Sequence, residues 1–133
     1  MYPVKDIPIS TRYGVKGKLW KSGWHDGVDF ACPVGTPVYA ARRGVVSRNK
    51  WGRSYGKHIV QRRTYPFRTK NHLIYAHLSK VIVVPGQKIK RGQLIGLTGA
   101  TGNVTGAHLH FGERNGPRWS TSNPVNPQKT LWA

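Results

Sequence analysis

The chain has 133 residues, and 22 Lys and Arg against four acids give it a formal net charge of +18. That length supports one domain with a modest core, and 38% hydrophobic content with five Trp and six Tyr excludes a disordered tail. A single cysteine excludes an internal disulfide framework, and no apolar run approaches the ~20 residues that cross a bilayer.

Residues 1–9 carry prolines and little periodic pattern, and residues 123–133 do the same. Both are expected to wrap the domain as arms. The opening stretch also lacks the apolar segment of a secretory signal, so no leader is expected to export the chain. Between the arms, Gly and Pro recur about every eight to twelve residues, with β-branched and aromatic residues filling the gaps. This rhythm predicts strands over 27–31, 37–41, 44–50, 58–63, 72–77, 88–89, 94–98 and 108–113. One turn of helix over 79–81 is also expected, capped weakly by Leu78-Ser79; no amphipathic helix is predicted. The fold class is therefore all-β, an antiparallel sandwich forming one domain over 1–133.

Two segments echo one another. Gly35-Thr36-Pro37-Val38 leads to Gly44-Val45-Val46, and Gly86-Gln87-Lys88-Ile89 leads to Gly92-Gln93-Leu94-Ile95-Gly96. Each reads as a hairpin, and the pair suggests a duplicated motif.

The chemistry concentrates in two places. In Trp24-His25-Asp26-Gly27-Val28-Asp29-Phe30, His25 and Asp29 are four apart. Gly27 and the following Cys32-Pro33 argue against a helix, while a straight strand would hold the two roughly 13 Å apart. Sharing one ion therefore demands a bend, for which Asp26-Gly27 is the evident place. Downstream, His108-Leu109-His110 follows a glycine-threonine run from Thr98 to Gly106. On a strand its two imidazoles share a face. His25, Asp29 and a histidine of this pair supply two imidazoles and a carboxylate. That set suits Zn²⁺ with a fourth position left to water, the pattern of a catalytic site. Spacing alone leaves open which of His108 and His110 binds metal. His58 and His72 have no motif around them and are read as structural or surface residues, and Cys32 as a small buried one.

The sequence resembles the lysostaphin-type (LytM-type) zinc endopeptidases of bacterial cell walls. The resemblance rests on His25-Asp26-Gly27-Val28-Asp29-Phe30, Pro33-Val34-Gly35-Thr36-Pro37-Val38-Tyr39-Ala40, Tyr75-Ala76-His77-Leu78-Ser79, Val84-Pro85-Gly86-Gln87 with Gly92-Gln93-Leu94-Ile95-Gly96, and Thr101-Gly102 through His108-Leu109-His110-Phe111. These run in the family's order over about residues 8–127. The resemblance implies a β-sandwich of the duplicated hybrid motif type, with long loops around a groove. It implies one Zn²⁺ held by His25, Asp29 and His110, with His77 and His108 as catalytic partners. The implied activity is hydrolysis of peptide bonds in the stems or cross-bridges of peptidoglycan. Departures from the family's pattern are Gly56-Lys57 where Gly-Asn is frequent, Ala107 in place of a frequent Pro, and Gly112 inserted before Glu113. None removes a ligand or catalytic histidine.

The four acids are Asp6, Asp26, Asp29 and Glu113, so the stretch between Phe30 and Gly112 holds 14 basic residues and no acid. Such a field favours polyanions. The basic stretches 42–43, 48–53 and 62–70 are expected to hold the protein on anionic wall polymers or a membrane surface, and Trp20, Trp24, Trp51 and Tyr55 are candidates to line the groove. A monomer with no specific nucleic-acid partner is expected. Compactness without a leader resembles a phage endolysin held in the host cytoplasm before release, or a virion-associated lysin. The alternatives are an inactive wall-binding relative and a basic nucleic-acid-binding domain, the latter with affinity falling steeply as salt rises.

Overall fold

The computed structural model describes residues 1–18, 20, 23–48, 53–63, 71–102, 104, 106–116 and 123–132. Its strands are β1 (Gly27–Ala31), β2 (Pro37–Tyr39), β3 (Gly44–Val46), β4 (Lys57–Arg62), β5 (Asn71–Val81), β6 (Lys88–Ile89), β7 (Leu94–Thr98), β8 (His108–Asn115) and β9 (Asn123–Val125). A 3-10 turn spans Arg53–Tyr55, and α1 covers Gln128–Trp132. The strands lie in the order β1-β8-β5-β4-β3-β6, with β9 on β8 and β2 joined to β5 through β7. Every described pairing is antiparallel, as the turn rhythm predicts.

The echoed segments do not close as two separate hairpins. β2 pairs with β7 and β3 with β6, so each repeat's strands are answered by those of the other. Strands of two to five residues hold little on their own. The exchange puts Val38, Val46, Ile89 and Ile95 into one core.

Other boundaries also differ from the sequence reading. β2 stops at Tyr39 and β3 at Val46, while residues 49 and 50 of the longer expected strand lie outside the described ones. Residues 79–81 form no helical turn; β5 runs on to Val81 because Lys80 and Val81 find partners in Leu97 and Gly96 of β7. The C-terminal arm is also regular. Asn123–Val125 extends the sheet beside Glu113–Asn115, and α1 starts where Asn126 Oδ1 accepts from the Gln128 N–H at 3.1 Å. Leu131 anchors that helix in the core, as Val4 anchors the N-terminal arm.

β5 is the central strand, and its alternation decides where the site can sit. Leu73 and Tyr75 point into the main core with Phe30, Leu109 and Phe111, whereas Ile74 and Ala76 join a small cluster with Val60 and Tyr55 on the opposite face. His110 lies opposite both Asp29 of β1 and Ala76 of β5. Residues opposite one another share a face, so the core residues Leu109 and Phe111 force His108 and His110 onto the face away from the main core.

Candidate metal centre

Three side chains meet on this face. His25 Nε2 lies 3.1 Å from Asp29 Oδ1 and 3.2 Å from His110 Nδ1, and His110 Nδ1 lies 3.0 Å from the same carboxylate oxygen. The required bend exists: β1 begins only at Gly27, and the chain turns at Asp26 so that His25 folds back over Asp29. The N-terminal segment sets the angle of this turn. Gly14 N–H donates to His25 O, His25 N–H to Val15 O, and Asp29 N–H to Thr11 O.

Gly27 allows the close approach. A Cβ there would stand 2.6 Å from Phe111 O and 2.8 Å from His110 Cε1. Only a residue without a side chain lets β1 lie this near the His110 ring.

The donor set fits zinc. His25 Nδ1–H is held by the Arg12 carbonyl at 3.0 Å, which leaves Nε2 as the lone-pair nitrogen turned to the cluster. A cation bound among the three atoms would replace the protons that otherwise bridge them, with His110 carrying its own proton on Nε2, toward Asp26 Oδ1. Tetrahedral zinc at ~2.0–2.1 Å from its ligands requires those ligands to stand about 3.3 Å apart, close to the separations seen. Electrostatics agree. Burial opposes the charge on His25, yet the hydrogen bond and charge of Asp29 outweigh it and raise the imidazole's pKa. Burial likewise opposes ionisation of Asp29, but the His110 and His25 contacts prevail and hold the carboxyl well below the usual carboxylate range.

His77 and His108 flank the cluster. Their rings lie 4.8 Å apart, and His77 lies 6.2 Å from the His110 ring. His108 Nδ1–H donates to Gly106 O at 2.9 Å, and its Nε2 stands 3.8 Å from Asp29 Oδ1. His77 Nδ1–H donates to Thr101 O at 2.7 Å. Each ring thus keeps Nε2 for chemistry. Burial, with smaller contributions from the neighbouring imidazoles, lowers the His77 pKa to about 4 against the Thr101 hydrogen bond.

His77 also has φ +64°, a left-handed conformation that costs a non-glycine residue roughly 1–3 kcal/mol. The strand kinks there, at the edge of the register shift between Leu78 and Lys80. The Thr101 carbonyl that fixes the ring is itself pinned. Thr101 Oγ1 donates to Leu78 O at 2.7 Å and accepts from Lys57 N–H at 3.1 Å. A Cβ on Gly56 would lie 2.4 Å from the Thr101 backbone, and one on Gly102 2.4 Å from Gly56 N. Two glycines thus let the threonine loop dock on the start of β4. Lys57 serves that contact through its backbone N–H, whatever its side chain.

The fold brings together His25, Asp29, His77, His108 and His110, all five histidine and aspartate positions expected from the sequence. Tyr55 joins them, its ring 6.0 Å from His110, and Trp20 stacks on His25 at 4.8 Å. Trp24 instead packs edge-on against Tyr13. Trp51 lies outside the described residues. His58 and His72 each donate a ring N–H to a backbone carbonyl, of Gly56 and Gly116 respectively, and Cys32 is buried with its Sγ 3.3 Å from Phe30 O; His58 packs 5.9 Å from the Tyr55 ring, and none of the three belongs to the His25–Asp29–His110 group. Asp26, not expected at the site, has Oδ1 3.6 Å from His110 Nε2 and Oδ2 paired with Arg114 at 3.0 Å. Its position beside His25 in a chain with four acids was the available signal.

A family model described as Peptidase family M23 matches residues 23–127. The peptidoglycan DD-endopeptidase ShyA of Vibrio cholerae is 47% identical over 87 residues, which are 65% of this chain and 19% of that protein. The chain therefore spans about one fifth of the length of that relative. Among solved structures, the catalytic domain of the antimicrobial peptidase lysostaphin from Staphylococcus simulans superposes with a TM-score of 0.82 at 32% identity, covering 96% of this chain and 94% of that one. The catalytic domain of the prophage-encoded M23 protein EnpA from Enterococcus faecalis, solved as a point mutant, gives 0.76 at 28% identity, covering 93% and 91%.

Proposed function

The chain belongs to peptidase family M23, and we propose that it is a zinc-dependent endopeptidase acting on the peptide cross-links of peptidoglycan. One observation carries this reading: the mutual approach of His25 Nε2, Asp29 Oδ1 and His110 Nδ1 to 3.0–3.2 Å, beside two imidazoles that keep a free ring nitrogen. Zinc held by these three residues would supply Lewis acidity toward the amide carbonyl and a more acidic water.

The protein's own groups do the rest. His108 Nε2 takes the proton from the attacking water, since its Nδ1 is committed to Gly106 O. As the carbon–nitrogen bond breaks, that proton passes to the leaving nitrogen, and the proton lost from the new carboxylic acid ends on the freed amine, so the products are a carboxylate and an ammonium. His77, kept neutral by burial, orients water and substrate through Nε2 while Thr101 fixes its tautomer. Tyr55 and Trp20 wall the cluster and limit its access to bulk water.

The likeness to ShyA supports a cross-link of the DD type as the bond cleaved, and the likeness to EnpA supports a phage-encoded lysin that acts on the host wall. The test digests purified sacculi with and without a chelator and identifies released muropeptides by mass spectrometry. Chelator-sensitive release of monomers cut at the D-amino-acid cross-link is expected. Cleavage confined to glycine bridges would replace the DD assignment, and no chelator-sensitive cleavage of any wall type would overturn the enzyme reading.

A further inference from the structure

The loop 17–23 carries Trp20 onto the metal centre, and one of its glycines has no other evident purpose. Gly17 N–H donates to Gly23 O and Gly23 N–H to Trp20 O, each at 3.0 Å, while Lys16 and Trp24 form a β-bridge at the loop's base. Gly23 has φ +81°, so the turn itself favours glycine there. Gly17 lies outside the left-handed region, and its backbone makes no such demand. What Gly17 makes room for is a ring. A Cβ there would stand 2.7 Å from Trp20 Cζ3 and 3.2 Å from Cε3, and the three nearest atoms it would meet all belong to that indole.

The indole given this clearance lies almost parallel to His25, with ring centroids 4.8 Å apart and planes at 27°. Arg12 O holds the Nδ1 edge of the imidazole, and Nε2 faces Asp29 and His110. Both contacts act at the edge of the ring. Trp20 covers a face, and His25 is wholly buried. An imidazole bound to a divalent cation is electron-poor, and the face of Trp is the strongest aromatic partner for positive charge. The stack therefore favours the metal-loaded His25 over the free one. A contact that is stronger in one state shifts the balance toward that state.

We propose that Trp20 is a positioning residue of the metal centre, which retains zinc by stacking on His25, and that Gly17 is the clearance that lets the indole take this place. The proposal rests on the reading of His25, Asp29 and His110 as zinc ligands. It goes beyond the screening of the cluster from bulk water, because it assigns to Trp20 how tightly and how long the metal is held.

The experiment measures, on the full chain, zinc affinity against a chelating dye and the rate of zinc release into excess chelator. Trp20→Ala is expected to weaken affinity about 5–10-fold and to speed release by a similar factor, the size of a desolvated cation–π contact. Trp20→Phe keeps a ring and should stay within about 3-fold of wild type. Gly17→Ala is the more telling variant. Its clash is with the far end of a flexible side chain, so the backbone keeps its course while the indole loses its place on His25. It should reproduce the Trp20→Ala loss, with the melting temperature of chelator-treated protein little changed. In the Trp20→Ala background it should add less than about 2-fold, because the two substitutions remove one interaction. Cobalt gives a second readout. Co²⁺ should quench a share of the tryptophan emission in wild type that is reduced in Gly17→Ala and missing in Trp20→Phe. Wild-type zinc affinity and release in Trp20→Ala would overturn the proposal, as would a Gly17→Ala effect of equal size in both backgrounds. A wild-type chain that bound no zinc would overturn the metal centre itself, so the two failures are distinguishable.

Discussion

Asp29 and His110 face one another directly across β1 and β8, and Asp29 Oδ1 lies 3.0 Å from His110 Nδ1. His108, opposite Ala31 two residues earlier, comes no nearer to that carboxylate than 3.8 Å through Nε2. The register therefore distinguishes two histidines that the sequence presents as equals. His110→Ala and Asp29→Ala should lower zinc affinity by more than about 100-fold, beyond what loss of a supporting contact causes. His108→Ala should keep most of the affinity while hydrolysis falls about 10²–10⁴-fold. Competition against a chelating dye, paired with a muropeptide assay, separates the two outcomes. Equal loss of metal in His108→Ala and His110→Ala would refute this division of roles.

Asp26 is placed to hold His110 from behind. Its Oδ1 lies 3.6 Å from His110 Nε2, and Arg114 pins its other oxygen at 3.0 Å. A carboxylate behind a ligating imidazole fixes the ring and strengthens it as a ligand. Asp26→Asn should therefore lower zinc affinity about 10-fold, with the melting temperature of the chelator-treated protein little changed. If metal affinity were untouched and only stability fell, Asp26 would serve Arg114 and the sheet edge, with no bearing on the metal.

Much of this was legible in the sequence because the signals are local. Alternation around Leu109 placed the His108–His110 pair on one face, and the distance between His25 and Asp29 demanded the bend that Asp26 makes. The partners of the site were not legible, since most of them are backbone carbonyls. Arg12, Thr101 and Gly106 act through C=O groups that carry no residue-type signature. The exchange of β2 and β3 with β7 and β6 was also hidden. The echo shows that two units are alike, and says nothing of whether each closes on itself. Strand β9 and helix α1 were missed because pairing to the β8 edge and the burial of Leu131 are tertiary in origin.

His77 gives a pH signature of its own. Its pKa is about 4 in the folded chain, chiefly through burial, against about 6.5 for an unperturbed imidazole. Between those values the unfolded chain binds a proton that the folded chain refuses, so this residue makes stability rise with pH and fall on acidification from about 6.5 toward 4. Asn tolerates the left-handed backbone at this position and does not titrate. In chelator-treated protein, the stability of wild type relative to His77→Asn should therefore decline across that window and level off below it. A constant difference from pH 7 to 4, measured by denaturant titration, would show that His77 is not held neutral by the fold.

The last prediction concerns Gly27, where the sheet and the metal centre make one demand. A methyl group there would meet Phe111 O at 2.6 Å and the His110 ring at 2.8–2.9 Å. Neither neighbour can yield cheaply, since Phe111 O is backbone in the centre of the sheet and the ring carries a ligand atom. Overpacking of this kind costs about 1–3 kcal/mol, and relieving it pushes His110 away from Asp29. Gly27→Ala should lose both stability and zinc affinity, whereas Gly14→Ala, where a Cβ meets nothing within 4 Å, should lose only what its φ of +84° exacts. Calorimetry with and without zinc reads both effects at once: the stabilisation gained on adding metal should shrink in Gly27→Ala and persist in Gly14→Ala. A Gly27→Ala protein that kept the full zinc-dependent gain would mean that the β1–β8 spacing is not what sets the ligand geometry.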